Sequence, residues 1–295
     1  MIIMNNMNVS LYIYIYIIFV YFMKLVTVAT HSERYYPYLK LSAEQHGHEL
    51  ITLGWGEKWQ GYSWKFELMK KYLRTLKDEL VCFVDAFDVI VLEDAATIER
   101  KFTERIGQDW DKIIISKEQY SQPIIENILM RILQSLVFTK CKDEYINTGT
   151  YMGYSSTLLN MLENITFKST DNDQSILQKY CVQHEHQFII DVECNLFLVI
   201  NSTFLKIKKG EYNISYVDNK LKYNNTFPSF FHGNGFTNFD IIIKQLKYDT
   251  TLYKSPEHNG FYIYWKRFLE FLPIVHTWIY VVLIVVIFII KYIMF

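Results

Sequence analysis

The chain has 295 residues, a formal net charge of −1, and a composition that is 51% hydrophobic and 17% aromatic. This length allows one domain of about 230–250 residues with a sizeable core, together with additional segments. The near-neutral charge gives no sign of the basic face that nucleic-acid binding needs, so no nucleic-acid partner is predicted.

The first 23 residues form a hydrophobic N-terminal segment. Residues 11–23 are all apolar, and no basic residue precedes them. This stretch is short for a membrane span and lacks the positive flank of a signal peptide. Two interpretations stay open: a signal sequence or anchor, and a dispensable extension before the first strand.

From Lys24 onwards, short apolar stretches alternate with amphipathic ones. Apolar residues at helical spacing, such as Phe66, Met69 and Leu73, mark the amphipathic stretches as helices. The predicted elements are strands at 25–29, 49–53, 80–84 and 113–115, and helices at 36–46, 64–76 and 95–102. Strands that alternate with helices indicate βαβ units, and therefore an α/β fold with a mostly parallel sheet.

The C-terminal part carries a second hydrophobic segment. Residues 271–290 contain no charged residue and are long enough to cross a bilayer as a helix. Lys266 and Arg267 precede them, as basic residues often flank membrane spans. The predicted organisation is a domain at 24–250, a linker at 251–270 and a transmembrane helix at 271–291. A buried core helix is the alternative for the last segment.

The four cysteines lack the spacing of a zinc site, because none forms a CxxC pair. Cys82 lies inside an apolar stretch, which is typical of a small buried side chain. Cys181 and Cys194 are candidates for a disulfide in an oxidising compartment, although their spacing alone does not establish the bond.

Asp85 and Asp88 follow the apolar stretch 80–84, which is typical of a strand buried on both faces. Ligands of open α/β sheets bind beyond the carboxyl ends of the strands, so both carboxylates are expected at a ligand site. Two carboxylates there suit a hard divalent cation, which in turn suits a nucleotide diphosphate. The alternative is a surface turn in which the aspartates cap the next segment.

A second motif begins at His232 and continues through Gly233, Asn234 and Gly235. The imidazole offers a metal ligand, and the glycines let backbone amides approach a diphosphate. A simple tight turn at Asn234-Gly235 is the alternative.

Two more segments combine polar residues with turn signals. Residues 171–174 (DNDQ) precede an apolar stretch, which predicts a helix N-terminus and also allows a carboxylate near an acceptor hydroxyl. Residues 145–153 hold two glycines in an aromatic stretch, which is typical of a sugar-lined turn or of a bulge.

Taken in chain order, these motifs resemble the N-terminal glycosyltransferase domain of procollagen lysyl hydroxylases over residues 24–247. The segments are LVTVAT (25–30), LGWGEKWQG (53–61), FVDAFDV (83–89), YINTG (145–149), DNDQ (171–174) and HGNG (232–235). The resemblance implies the GT-A glycosyltransferase fold, a Rossmann-like sandwich with a mixed, mostly parallel sheet.

The resemblance also implies roles for individual residues. Asp85, Asp88 and His232 correspond to the family's Mn²⁺ site, and Asp173, with Asn172 beside it, to its catalytic acids. The positions that correspond to donor binding are Thr30, Trp59, Lys65, Phe87, Glu118, Asn147, Gly233, Asn234 and Gly235.

The chain departs from the family pattern at several positions. Asn172 replaces an aspartate, and Asn238 replaces a lysine that resembles a diphosphate clamp. Leu198 stands where the family has a polar residue, and Phe87 lacks the hydroxyl of the usual tyrosine. Fewer charge-assisted contacts weaken nucleotide binding, so donor and acceptor preferences are expected to differ.

Two hypotheses about function follow. The first is a Mn²⁺-dependent glycosyltransferase that uses UDP-galactose or UDP-glucose as donor, with a hydroxylysine-type, collagen-like protein or a related glycan as acceptor. The second is a catalytically silent UDP- or glycan-binding membrane protein of the same fold. Both predict a single-pass protein held in a membrane by its C-terminal helix, for example in the endoplasmic reticulum, with its orientation left open.

Overall fold

The computed structural model describes residues 23–119, 139–201, 211–235 and 237–253. The strands are β1 (Lys24–Val28), β2 (Leu50–Leu53), β3 (Leu80–Val84), β4 (Val89–Val91), β5 (Ile113–Lys117), β6 (Ile146–Tyr154), β7 (Phe188–Asp191), β8 (Phe197–Val199), β9 (Ile214–Val217), β10 (Lys220–Tyr223) and β11 (Phe230–His232). The α-helices are α1 (Tyr36–Gln45), α2 (Trp64–Leu73), α3 (Ala95–Ile106), α4 (Ser155–Glu163), α5 (Asp173–Gln183) and α6 (Asp240–Gln245).

The main sheet has six strands in the order β2-β1-β3-β6-β5-β7. β1 runs parallel to β2 and β3, and β5 runs parallel to β7. β6 is antiparallel to both of its neighbours, β3 and β5. The sheet is therefore mixed, which fits a GT-A-like α/β fold. Every side chain of β3 is buried, in agreement with its continuous apolar sequence.

Helices cover both faces of the main sheet. α2, α4 and α5 pack on one face, where Phe66, Leu158 and Leu177 belong to one buried cluster. α1 and α3 contribute Leu39 and Phe102 to the buried cluster that also holds part of a second sheet. Burial of apolar side chains on both faces provides the main stabilisation of this arrangement.

The second sheet has three short strands in the order β4-β11-β8. β11 is antiparallel to β4 and parallel to β8. The three strands of this sheet have three residues each, and such short strands show no periodic pattern in the sequence. This sheet carries His232 at the end of β11 and therefore helps to build the site described below.

The predicted elements up to residue 117 are confirmed as to type, and several of their ends shift. α2 ends at Leu73 rather than at residue 76, and α3 continues to Ile106, beyond the predicted end at residue 102. Gly107 follows α3 with a φ of 62°, a backbone conformation that favours glycine and ends the helix.

A disulfide joins Cys141 to Cys181, which lies in α5. Cys194 is a free, buried cysteine, so the candidate bond between Cys181 and Cys194 is not formed. The packing of α5 on the sheet brings together two cysteines 40 residues apart in sequence, and sequence spacing does not reveal this. Cys82 is buried and free within β3, as predicted.

The predicted transmembrane helix at 271–291 and residues 1–22 lie outside the described residues. Within the described ranges, no helix combines the length and the apolar composition needed to cross a membrane. Membrane attachment through a C-terminal helix and the domain boundaries at 24–250 therefore stay predictions.

Candidate active site

The ends of β3 and β11 bring two acids and one imidazole together. Asp85 follows β3, and its backbone N–H donates to the carbonyl of Gly149 at 2.7 Å. Asp88 immediately precedes β4, which pairs with β11, so the side chain of His232 lies beside it. The backbone N–H of Gly233 donates to the carbonyl of Asp88 at 2.8 Å and fixes this neighbourhood.

Asp85, Asp88 and His232 offer ligand atoms that all lie within 4.8 Å of one another. His232 Nε2 lies 3.3 Å from Asp88 Oδ1, but neither ring nitrogen has a hydrogen-bond partner among the described residues, and both are buried. Buried polar atoms without partners are costly, and a bound cation would supply the missing partner. Two carboxylates and an imidazole suit a divalent cation that accepts mixed oxygen and nitrogen ligands.

The three groups shift one another's proton affinity. Burial raises the pKa of Asp85, although Lys65 opposes this. Burial alone would also raise the pKa of Asp88, but His232 and Arg34 outweigh it and lower that pKa. Burial would lower the pKa of His232, but the carboxylate of Asp88 raises it. Strongly interacting titratable groups at strand ends are typical of functional sites.

Gly149 leaves the space in which the cluster forms. A Cβ atom there would collide with Cε1 of His232 and would lie only 2.5 Å from Oδ2 of Asp85. The backbone N–H of Gly149 donates to Oδ1 of Asn147 at 2.8 Å. Gly149 lies in β6 where the pairing with β5 shifts in register, which agrees with the bulge, one of the two interpretations of this stretch. Close approach of two side chains therefore explains the glycine.

Lys65 connects the cluster to the N-terminus of α5. Its Nζ lies 2.5 Å from Oδ2 of Asp173 and 3.2 Å from Oδ1 of Asp85. Thr148 Oγ1 also donates to Asp173 at 2.8 Å. Burial would lower the pKa of Lys65, but the two carboxylates raise it well above its ordinary value, so the side chain stays protonated.

Asn172 and Asp173 form the start of α5, as the helix-terminus interpretation predicts. Asn172 Oδ1 accepts a hydrogen bond from the backbone N–H of Ser175 at 2.9 Å and caps the helix. The loop before α2 contacts the loop before α5, because Ser63 Oγ donates to the carbonyl of Asp171 at 2.9 Å. This packing holds Asp173 at the edge of the site, whereas the side chain of Asn172 serves the backbone.

Glu118 follows β5 and is a buried acceptor for several side-chain amides. Asn147 Nδ2 donates to it at 2.6 Å, Asn201 Nδ2 at 3.0 Å, and Asn234 Nδ2 at 3.0 and 3.1 Å to its two oxygens. Gln174 Nε2 lies within 3.4 Å. Glu118 thereby ties the loop after His232 to β6, and these buried hydrogen bonds make this side of the site rigid.

The predicted uridine contacts lie at the end of β1. Thr30 is half-buried, with Oγ1 2.8 Å from His31 Nδ1, and Phe87 packs partly buried against Ala29 and Tyr36. The ring of His31, which contacts Thr30, has its centroid 6.1 Å from that of Phe87. Thr30 and Phe87, the two predicted uridine contacts, therefore both lie next to His31.

Trp59 lies on the loop between β2 and α2. Its ring meets Trp64 edge-on, with 5.7 Å between centroids, and it also borders Tyr62 at 6.2 Å. The side chain is 43% exposed, which leaves its predicted donor contact open to a ligand.

Two departures from the family pattern have clear structural uses. Asn238 Oδ1 accepts a hydrogen bond from the backbone N–H of Asp240 at 3.0 Å, at the start of α6. Leu198 is fully buried in β8, in a cluster that includes Phe231. In place of polar contacts to a ligand, these positions therefore provide a hydrogen bond to the first residue of α6 and core packing. Gly235 adopts a φ of 72°, which agrees with a turn at Asn234-Gly235, the alternative interpretation of this motif.

Sequence reasoning missed three residues of this region: Arg34, Thr148 and Asn201. Arg34 lies in the loop after β1, where a single arginine gives no motif, and its Nη1 lies 3.7 Å from Asp88 Oδ2. Thr148 lies in the stretch 145–153, which was interpreted from its glycines, and its hydroxyl donates a hydrogen bond to Asp173. Asn201 belongs to a glycosylation sequon, but its side chain is buried against Glu118, which does not suit a glycan acceptor.

Replacing Lys65 with Met should destabilise the fold by up to about 3 kcal/mol, because the buried Asp173 loses its countercharge. The value lies at the low end for buried pairs, since Asp85 is partly exposed and both acids can bind protons. Thermal and urea unfolding would measure the change. Lys71→Met, an exposed position on the same helix, is the matched control and should change stability by less than about 0.5 kcal/mol. Equal stability of the two variants would contradict the assigned ion pairs.

The mixed α/β sandwich with acids and an imidazole at its strand ends fits the class of GT-A-like glycosyltransferase domains. A family model described as the PLOD GT domain matches residues 21–248. The chain belongs to this family of glycosyltransferase domains.

The relatives include viral and animal proteins. An uncharacterized protein, R699, of Acanthamoeba polyphaga mimivirus is 26% identical over 65% of this chain and 41% of its own length. The multifunctional procollagen lysine hydroxylase and glycosyltransferase of Caenorhabditis elegans is 26% identical over 72% of this chain, and the human protein LH3 of that description is 23% identical over 74%. The match covers 30% of each of these two, so the chain spans less than half the length of its curated relatives.

Proposed function

We propose that this protein transfers a hexose from UDP-galactose or UDP-glucose, with Mn²⁺ as its metal. The acceptor would be a hydroxylysine-type residue of a collagen-like protein, or a related glycan. The observation that carries the proposal is the cluster of Asp85, Asp88 and His232, whose buried imidazole nitrogens lack hydrogen-bond partners among the described residues. The names of the animal relatives, which combine procollagen lysine hydroxylase with glycosyltransferase, support the acceptor class.

Asp85, Asp88 and His232 would hold the metal ion at the carboxyl end of β3. When bound, Mn²⁺ supplies Lewis-acid stabilisation of the negative charge that develops on the departing UDP. The protonated Lys65, 3.2 Å from Asp85, adds a positive charge beside the same cluster. These groups act where charge develops, which is where electrostatic stabilisation has its largest effect.

Thr30 and Phe87 would bind the nucleoside. The ring of Phe87 provides an apolar face on which uracil can stack, and the hydroxyl of Thr30 provides a polar contact nearby. Glu118 would contribute indirectly, because its hydrogen bonds hold the side chains of Asn147 and Asn234 in fixed positions around the donor.

Asp173 would orient the acceptor hydroxyl. Lys65 and Thr148 both hold Oδ2 of its carboxylate, so this side chain is fixed before the acceptor arrives. A preorganised acceptor contact raises the rate because less freedom is lost in the reaction itself.

A catalytically silent UDP- or glycan-binding protein is the second candidate. It is favoured by Asn172 and Asn238, which stand where charged residues are expected and whose side chains here cap backbone N–H groups. Without a positive charge at position 238, stabilisation of the anionic leaving group would weaken more than binding of the nucleoside.

A donor screen with the full-length protein would test the proposal. We expect release of UDP from UDP-galactose or UDP-glucose in the presence of Mn²⁺, faster with a collagen-type hydroxylysine peptide, and abolished by a chelator. Calorimetry with UDP and Mn²⁺ would accompany the screen. Binding of UDP without turnover of any UDP-hexose would favour the silent candidate, and a folded protein with neither binding nor turnover would contradict both.

A further inference from the structure

Arg34 lies at the junction of the two metal-ligand segments. Its Nη1 is 3.7 Å from Oδ2 of Asp88, and its Nη2 donates to the carbonyl of Gly235 at 2.5 Å. The side chain therefore bridges the loop after β3 and the loop after β11. The backbone of Arg34 has a φ of 50°, in the left-handed region that residues other than glycine rarely adopt.

The charges around the cluster differ in how well a ligand can reach them. Besides His232, the basic side chains that pair with the two aspartates in the described part of the chain are those of Lys65 and Arg34. The side chain of Lys65 is 8% exposed and also pairs with Asp173, whereas that of Arg34 is 23% exposed. A ligand that reaches the metal cluster from solvent therefore meets the guanidinium more readily than the ammonium.

We propose that Arg34 binds the diphosphate of the nucleotide donor. This inference rests on the proposed function, since it needs a nucleoside diphosphate at the cluster. A guanidinium carries several N–H donors in a planar fork that matches phosphate oxygens, so one group can contact a phosphate and a carboxylate together. At the edge of the cluster, Arg34 would neutralise part of the diphosphate charge that the metal leaves uncompensated.

A purely structural role for Arg34 predicts something different. If the guanidinium only positioned Asp88 and Gly235, its loss would weaken metal binding. If it binds the diphosphate, its loss leaves Mn²⁺ binding unchanged or tighter, because a positive charge beside Asp88 disappears. UDP binding at saturating Mn²⁺ would then weaken selectively.

The test measures dissociation constants of Mn²⁺ alone, and of UDP at saturating Mn²⁺, in the full-length protein. We expect Arg34→Gln and Arg34→Gly to weaken UDP binding by about 10- to 100-fold, with Mn²⁺ binding changed by less than about threefold. Glycine suits the left-handed backbone, so the second variant guards against a folding defect. Arg34→Lys should recover part of the affinity. The matched control is Arg74→Gln, an exposed arginine paired with Glu163, which should bind UDP like the wild type.

UDP affinity within about twofold of the wild type in both variants would overturn the inference. Parallel loss of Mn²⁺ and UDP binding that Arg34→Lys does not recover would overturn it as well, in favour of a structural role. A wild-type protein that binds Mn²⁺ but not UDP would instead refute the proposed function, and with it this inference.

Discussion

Replacement of Asp88 by Asn should lower the rate of hexose transfer by at least about 1000-fold. The amide has nearly the shape of the carboxylate but lacks the charge that holds a divalent cation. A metal ion contributes several kcal/mol of charge stabilisation, and each 1.36 kcal/mol corresponds to a factor of ten. Release of UDP from the donor in Mn²⁺ would measure the rate, and a thermal shift with Mn²⁺ would report metal binding.

Asp94→Asn is the matched control for this variant. Asp94 is an exposed N-cap of α3, and Asn caps helices as well as Asp does, so rate and stability should stay close to the wild type. An Asp88→Asn protein that keeps its Mn²⁺-induced thermal shift and its full transfer rate would show that the cluster is not the metal site.

Gly149→Ala should also abolish most of the activity, although residue 149 would contribute no catalytic group. The new Cβ would displace the imidazole of His232 or the carboxylate of Asp85, and both contacts are too short to be tolerated. Metal sites tolerate displacements of only about 0.5 Å. We expect Mn²⁺ binding to weaken by at least about tenfold and transfer to slow by at least about 100-fold.

Gly153→Ala tests whether any glycine of β6 would give that result. A Cβ there would meet the flexible end of Leu158 at 3.2 Å, away from the metal cluster. This variant should lose less than about 1 kcal/mol of stability and keep its affinity for Mn²⁺. Equal loss of metal binding in both variants would contradict the assigned role of Gly149, because it would point to damage of the strand as a whole.

Four strands of the main sheet, β1, β2, β3 and β5, could be predicted because their signals are local, whereas β6 and β7 were not predicted. β3 is a continuous apolar stretch, and the aspartates that follow it lie where the chain leaves the sheet. The same reasoning placed Asn172 and Asp173 at a helix N-terminus, since capping depends on residues close in sequence. The resemblance to the procollagen lysyl hydroxylase family, which rests on the order of these motifs, grouped them into one site.

Long-range contacts account for what the sequence did not reveal. The bond between Cys141 and Cys181 depends on how α5 packs on the sheet. Arg34 contacts Asp88 and Gly235 because β1, β3 and β11 end in the same region. A single arginine outside any motif does not indicate such contacts in the sequence. The strand β4 is too short for its pattern to be recognised, yet its pairing with β11 places the imidazole beside the acids.

Anomalous diffraction at the manganese edge, from crystals grown with Mn²⁺ and UDP, would test the metal site most directly. We expect one strong peak within about 2.5 Å of carboxylate oxygens of Asp85 and Asp88 and of an imidazole nitrogen of His232. A peak at other residues, or none at this cluster while UDP is bound, would contradict it.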